Sequence, residues 1–205
     1  FTGSQQLGSL KLTGASRVNL ATNGDHYLRV ASLDVSGSAI LDLNDNVLIV
    51  NRGNITDEER ETCIQAPAVM IFNRAGDMIG AWGDWDVLPS TPHSCAVDRV
   101  NNVWISAKGD GMVQKYTYDG KLLLQIGQKG VFDTADGGKR GPGLNKSHDR
   151  LNKPAGIACD PTNDDVYFAD GYGTRRIIVY DKNGKFLRQW GRQATPEEME
   201  AGVGG

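Results

Sequence analysis

Apolar and polar positions alternate in short runs along most of this chain, and the runs return in a fixed order. A run opens on an apolar residue and Asp, a second run follows, then an aromatic, a Gly four residues on, and another Gly seven after that. The order is read as Leu41-Asp42, Val47-Leu48-Ile49-Val50, Phe72, Gly76 and Gly83; as Val97-Asp98, Val103-Trp104-Ile105, Tyr116, Gly120 and Gly127; and as Cys159-Asp160, Val166-Tyr167-Phe168, Tyr180, Gly184 and Gly191. Short apolar runs bounded by Gly, Asn and Asp predict strands joined by tight turns. In the third unit the strands fall at 156–159, 165–169, 175–180 and 185–190, with turns at 160–164 and 181–184.

Four antiparallel strands joined by tight turns make one propeller blade, and self-similarity at this scale marks a repeat architecture. Three blades are too few to close a ring. The acidic stretch 54–61 intrudes between strands two and three of the first unit and is expected to form a rim loop or short helix capped by Thr56 or Asp57. The connection 130–153, rich in Gly, Lys, Asp and Asn, is long, and such loops are commonly functional or mobile.

The N-terminal stretch follows another rule. Residues 10–23 align with residues 33–46 as a shorter repeat with alternating apolar positions, more like rungs of a β-solenoid than a blade. The expected organisation is therefore a β-rich repeat segment at 1–40, solenoid-like or an irregular first blade, and a partial propeller at 41–205. The second short copy overlaps the first strand of the first blade, so the boundary near residue 40 is ambiguous.

Composition narrows the function. The 205 residues are 39% hydrophobic, enough to bury a core, and a mean hydropathy of -0.40 with no long apolar run excludes a helical membrane span. The formal charge of -3, with acids and bases mixed throughout, draws the chain to neither nucleic acid nor anionic membrane, so the ligand is expected to be small or a peptide. With 26 Gly and only 7 Pro the chain suits tight turns rather than disorder. Cys63, Cys95 and Cys159 fit no metal-ligand spacing; Cys63 and Cys95 are either a disulfide in an exported protein or two buried thiols. Phe1 is followed by no basic-then-apolar leader, so a signal peptide has been removed or was never present.

From about Asn46 onward, some three quarters of its length, the chain resembles the NHL-repeat propellers, and among them the peptidyl-α-hydroxyglycine α-amidating lyase (PAL) family and its bacterial relatives. The residues that carry the resemblance are Asn51-Arg52-Gly53, Pro92-His93 before Ala96-Val97-Asp98, Asn152-Lys153-Pro154, Ala169-Asp170-Gly171-Tyr172, Gly184-Lys185-Phe186 and Gln189-Trp190-Gly191. The resemblance implies a six-bladed propeller with zinc in the central channel, a structural calcium nearby, an extracellular or periplasmic location, and cleavage of a peptidyl α-hydroxyglycine to a peptide amide and glyoxylate. By motif position His93 matches a zinc ligand, Arg52 the arginine that pairs with the substrate carboxylate, and Tyr172 the tyrosine that helps deprotonate the substrate hydroxyl. The Cys95 carbonyl falls where the family binds calcium.

The chemistry suits these residue types. Zinc takes neutral imidazole and acidifies a bound oxygen, guanidinium pairs bidentately with carboxylate, and a tyrosine beside a dication can act as a base. Each residue also has a plainer reading. His93 is otherwise a surface-turn residue after Pro92, Arg52 an interblade bridge, and Tyr172 a turn aromatic packed on the next blade. His26 and His148 are expected to be solvated, and Trp82 and Trp190, at one repeat position, to be core. At the matching place in the third blade Ala155 replaces His93, and the family's other zinc histidines belong to blades beyond Gly191. The expectation is a fragment, a truncated relative, or a partner in an assembly that completes the ring.

Three functions follow: a PAL-like metal-dependent lyase acting on a small peptide-like substrate, a non-catalytic module that binds peptide, glycan or protein, and a chain whose open blade edges associate with another chain.

Overall fold

A computed structural model describes residues 5–13, 17–19, 28–35, 40–42, 47–51, 56, 58, 66–73, 75–192 and 194–202. Arg52, Cys63, His26 and nearly all of the acidic stretch 54–61 lie outside them. The chain divides into two compact units, Phe1–Leu48 with Ile71–Gly80, and Ile49–Met70 with Ala81–Gly205.

The first unit opens with β1 (Gln5–Leu12), β2 (Arg17–Asn19), β3 (Leu28–Val35) and β4 (Ile40–Asp42). β1 pairs with β3 and β2 with β4, both in parallel, and every partner is displaced by 23 residues: Leu10 faces Leu33, and Arg17 faces Ile40. That displacement equals the spacing of the short sequence repeat, so each copy lies directly against the other, as successive turns of a parallel coil do. β4, which the sequence pattern assigns to the first blade, is instead the partner of β2.

Blade one therefore shows three strands, β5 (Val47–Val50), β6 (Val69–Phe72) and β7 (Met78–Trp82), in that order. Blade two is the meander β8 (Pro92–Val97), β9 (Val103–Ala107), β10 (Met112–Tyr116) and β11 (Leu122–Ile126); blade three is β12 (Gly156–Cys159), β13 (Val166–Asp170), β14 (Arg176–Tyr180) and β15 (Phe186–Trp190). Both are antiparallel throughout, so the fold is all-β and built of propeller blades. A short helix, α1 (Pro196–Glu200), opens on a capping box between Thr195 and Glu198.

The repeated glycines have a backbone cause. Gly76, Gly120 and Gly184 close the same outer hairpin turn with φ of 90°, 94° and 81°, a region that side chains with a Cβ disfavour. At Gly120 a Cβ would also fall 2.6 Å from the Trp82 ring. The core lies between blades two and three, where Trp104, Val113, Ile126, Leu151, Val166, Phe168, Ile178 and Tyr180 are buried together. Burying large side chains such as Trp104 and Phe168 stabilises the pairing of the blades by about 1.5–3 kcal/mol each.

The tryptophans depart from expectation. Trp82 is half-buried, tilted against Tyr116 at 5.1 Å with its Nε1 donating to the Tyr118 carbonyl, whereas Trp190 is 48% exposed. Both sit on the outermost strand of a blade, which buries a ring only against a following hairpin. His148 is exposed as expected, yet its ring stacks flat on Phe186 at 3.7 Å.

The connection between β11 and β12 is tied down rather than loose. Phe132 and Leu151 are buried, and Arg176 of β14 donates to the carbonyls of Ser147 and Arg150, both at 2.8 Å.

Candidate functional site

His93 owes its position to an irregular strand. In the β8–β9 ladder Pro92 faces Ala107 and Ser94 faces Ser106, which leaves His93 as the extra residue of a β-bulge. Bulges re-aim a side chain out of the alternating pattern and are frequent beside active sites. The segment leading into it is clamped: the Ser90 amide and hydroxyl donate to the Asp110 carboxylate at 2.6 and 2.8 Å. Thr91 packs so closely on the β9–β10 turn that a Cβ at Gly109 would fall 1.7 Å from its Oγ1.

Tyr172 stands in the equivalent turn of blade three, between β13 and β14. The Thr174 hydroxyl donates to the Asp170 carbonyl and closes this turn. Gly173 lies flush on the Asn152 amide, where a Cβ would be 2.1 Å from Cγ. Beneath it the buried Asp170 carboxylate accepts from the Asn152 backbone N–H at 2.8 Å and from Arg176 Nε at 3.1 Å. Burial holds the Asp170 carboxyl above the usual carboxylate range against the pull of Arg176.

The β8 bulge and the β13–β14 turn bring His93 and Tyr172 together. The Tyr172 hydroxyl is 3.4 Å from His93 Nε2, and the rings meet edge-on at 5.6 Å. Lys108 places its Nζ 4.2 Å from the centre of the Tyr172 ring, a cation–π geometry. Tyr172 thus packs on the neighbouring blade and also faces a cavity of about 390 Å³, lined by Thr91, His93, Lys108, Gly109, Lys139, Lys153 and Tyr172.

Sequence reading singled out neither Thr91 nor the three lysines as site residues. The lysines come from the β9–β10 turn, the long connection and the residue before Pro154, at spacings that share no face of any element. The one signal in the sequence is the Asn152-Lys153-Pro154 motif, where Lys153 takes a φ of 66°, a conformation that clusters at functional sites.

Cys95 lies two residues beyond His93 on β8, half-buried, with its backbone opposite Ile105. Its thiol is free and burial pushes it up; Cys159 is likewise free and pushed by burial up to about 12. Among the described residues no group of three or more His, Cys, Asp or Glu is placed to hold a metal ion. One imidazole beside three ammonium groups falls short of the roughly three protein ligands of a catalytic zinc. The described residues do not fit that ion.

No family model matches the chain. In sequence it is similar to peptidyl-glycine alpha-amidating monooxygenase B of Xenopus laevis, 28% identical over 173 residues, which are 78% of this chain and 18% of that protein. It is also similar to peptidyl-alpha-hydroxyglycine alpha-amidating lyase 1 of Drosophila melanogaster, 31% identical over 104 residues, 49% of this chain and 17% of that protein. The chain spans less than a fifth of the length of either relative. A solved structure of streptogramin B lyase is similar with a TM-score of 0.43 and 15% identity, covering 62% of this chain and 34% of that one. The blades define the class of protein as a β-propeller, and the sequence relatives it is similar to include an amidating lyase. Within that class the resemblance is to the PAL propellers.

Proposed function

We propose that this chain carries out the amidating-lyase reaction on a peptidyl α-hydroxyglycine. The observation that carries the reading is the His93–Tyr172 pair at 3.4 Å, brought onto one cavity from the β8 bulge of blade two and the β13–β14 turn of blade three. Sequence relatives that include a lyase named for this substrate support it.

The step needs a base at the substrate hydroxyl and a proton for the departing nitrogen. Imidazole and phenol within hydrogen-bonding reach can pass a proton between them, and positioned proton transfer of this kind accelerates reactions by about 10²–10⁴-fold. The pair takes the hydroxyl proton, the carbon–oxygen double bond forms as the carbon–nitrogen bond breaks, and the amide nitrogen is protonated. Peptide amide and glyoxylate leave. The lysines of the cavity are placed to hold the terminal carboxylate, a role the resemblance gives to Arg52. Zinc, calcium coordinated by the Cys95 carbonyl, and a location outside the cytoplasm belong to this reading through the resemblance alone. Among the described residues no helix is long and apolar enough to cross a membrane.

Glyoxylate release from a synthetic peptidyl α-hydroxyglycine tests the proposal. The wild-type chain should release it well above the spontaneous rate, with His93→Ala and Tyr172→Phe each slower by about 10²-fold. Release at the spontaneous rate by the wild-type chain sinks the lyase reading.

A further inference from the structure

The cavity holds more positive charge than one terminal carboxylate calls for. Lys108, Lys139 and Lys153 line it and no acidic residue does. None of the three pairs with a carboxylate among the described residues. Like charges gathered at a concave, partly enclosed surface repel one another and focus a field that attracts an anion. The chain as a whole has a formal charge of -3 and repels an acidic ligand at long range, so any preference for one must arise locally. Two features show that the cavity wall is held in place. Lys108 rests on the Tyr172 ring, and Lys153 keeps its left-handed backbone between the buried Asn152 and Pro154. The Thr91 Oγ1, buried against Gly109, has no hydrogen-bond partner among the described residues, and Thr91 belongs to the same lining.

We infer that the cavity recognises a ligand with two carboxylates, a peptide in which Asp or Glu precedes the C-terminal α-hydroxyglycine. The inference rests on the lyase reading for its terminal group and adds the second acid. About 390 Å³ accommodates two adjacent residues, within the usual range of small-ligand sites. One ammonium answers each carboxylate and the third offsets the cost of stripping water from both.

The test is calorimetric titration of the full chain with acetyl-Glu-Gly and with acetyl-Gln-Gly, which match in shape and differ by one charge. Neither carries the hydroxyl the reaction needs, so the readout is binding alone. At low salt acetyl-Glu-Gly should bind about tenfold more tightly, and the gap should close at high salt, where the Debye length contracts. The exposed Lys139 changed by Lys139→Gln should shrink the gap to about twofold, while Arg188→Gln, a surface charge outside the cavity, should leave it unchanged. Equal affinities for the two peptides, or a gap that closes equally in both variants, overturns the inference. A chain that discriminates the peptides yet releases no glyoxylate from the hydroxylated substrate retains the acid preference and loses the chemistry.

Discussion

Blades two and three are the same meander with different interiors at one matched place. Where β9 meets β10, Met112 faces Ala107; where β13 meets β14, Arg176 faces Asp170. Met112 and Arg176 are equally buried. The blade tolerates either, but the arginine must be partnered everywhere it reaches. It bonds Asp170, Gln189 and the carbonyls of Ser147 and Arg150, with Asp133 at 3.4 Å. Those partners lie largely in the connection between the blades, so blade three's buried charge fastens the segment that supplies Lys139 and Lys153 to the cavity. The repeated positions make the fold. The unlike ones make the site: His93 against Ala155, and the arginine against the methionine.

Breaking this difference should have the largest effect. Arg176→Met strands a buried Asp170 carboxylate and several acceptors, and should lower stability in urea denaturation by about 3–5 kcal/mol. Adding Asp170→Ala copies the pair of blade two, and removing both charges should recover at least about half of that loss, since apolar replacements of buried ion pairs are often neutral. A double variant no better than the single one would show that the connection's carbonyls, not the ion pair, carry the energy.

The tryptophans sharpen the comparison at the outer strand. Trp82 on β7 is covered by the Tyr116–Gly120 hairpin, whereas Trp190 at the same repeat position on β15 is 48% exposed, with Tyr167 edge-on at 6.2 Å. Trp82→Ala should cost about 2 kcal/mol, less than full burial would give, and Trp190→Ala under about 1 kcal/mol. Equal losses would mean that repeat position, rather than cover, sets the contribution.

Much of this fold is legible in the sequence because its causes are local. Short apolar runs mark β9, β13 and β14, and the left-handed turns demand Gly76, Gly120 and Gly184 where the pattern places them. The 23-residue displacement of the N-terminal strands is likewise visible as a repeat. The fate of β4 is not, since an apolar run with Asp suits either a parallel or an antiparallel partner. At the site, motif position drew attention to His93 and Tyr172, which the structure brings together, while Arg52 lies outside the described residues. The convergence of the lysines was illegible because it is tertiary. It depends on a bulge at His93, a clamp at Asp110 and the anchoring by Arg176, none of which alters hydrophobic periodicity.

The smallest effect concerns acid, and it separates the blades at their first turn. Asp98 accepts from the amides of Val100 and Asn102, from the Asn102 side chain and from Trp104 Nε1, with Lys115 at 3.3 Å. Its counterpart Asp160 accepts from the Thr162 amide and hydroxyl. Burial pushes the Asp98 carboxyl up, but the Asn102 and Val100 hydrogen bonds and Lys115 together hold it below the ordinary value of 3.8. A group with a depressed folded pKa adds stability that is full above the unfolded value and lost as pH falls through the folded one. The stability gap between wild type and Asp98→Asn should therefore be widest near neutral pH and shrink as pH drops below about 4. The cost of desolvating this partly buried carboxylate offsets much of what its hydrogen bonds and Lys115 contribute and keeps the gap near or below about 1 kcal/mol. Denaturation followed by the fluorescence of the tryptophans, with Trp104 buried against this turn, reads the gap at each pH. A gap that stays constant from neutral pH into acid would show that Asp98 contributes through its turn geometry alone and not through its charge.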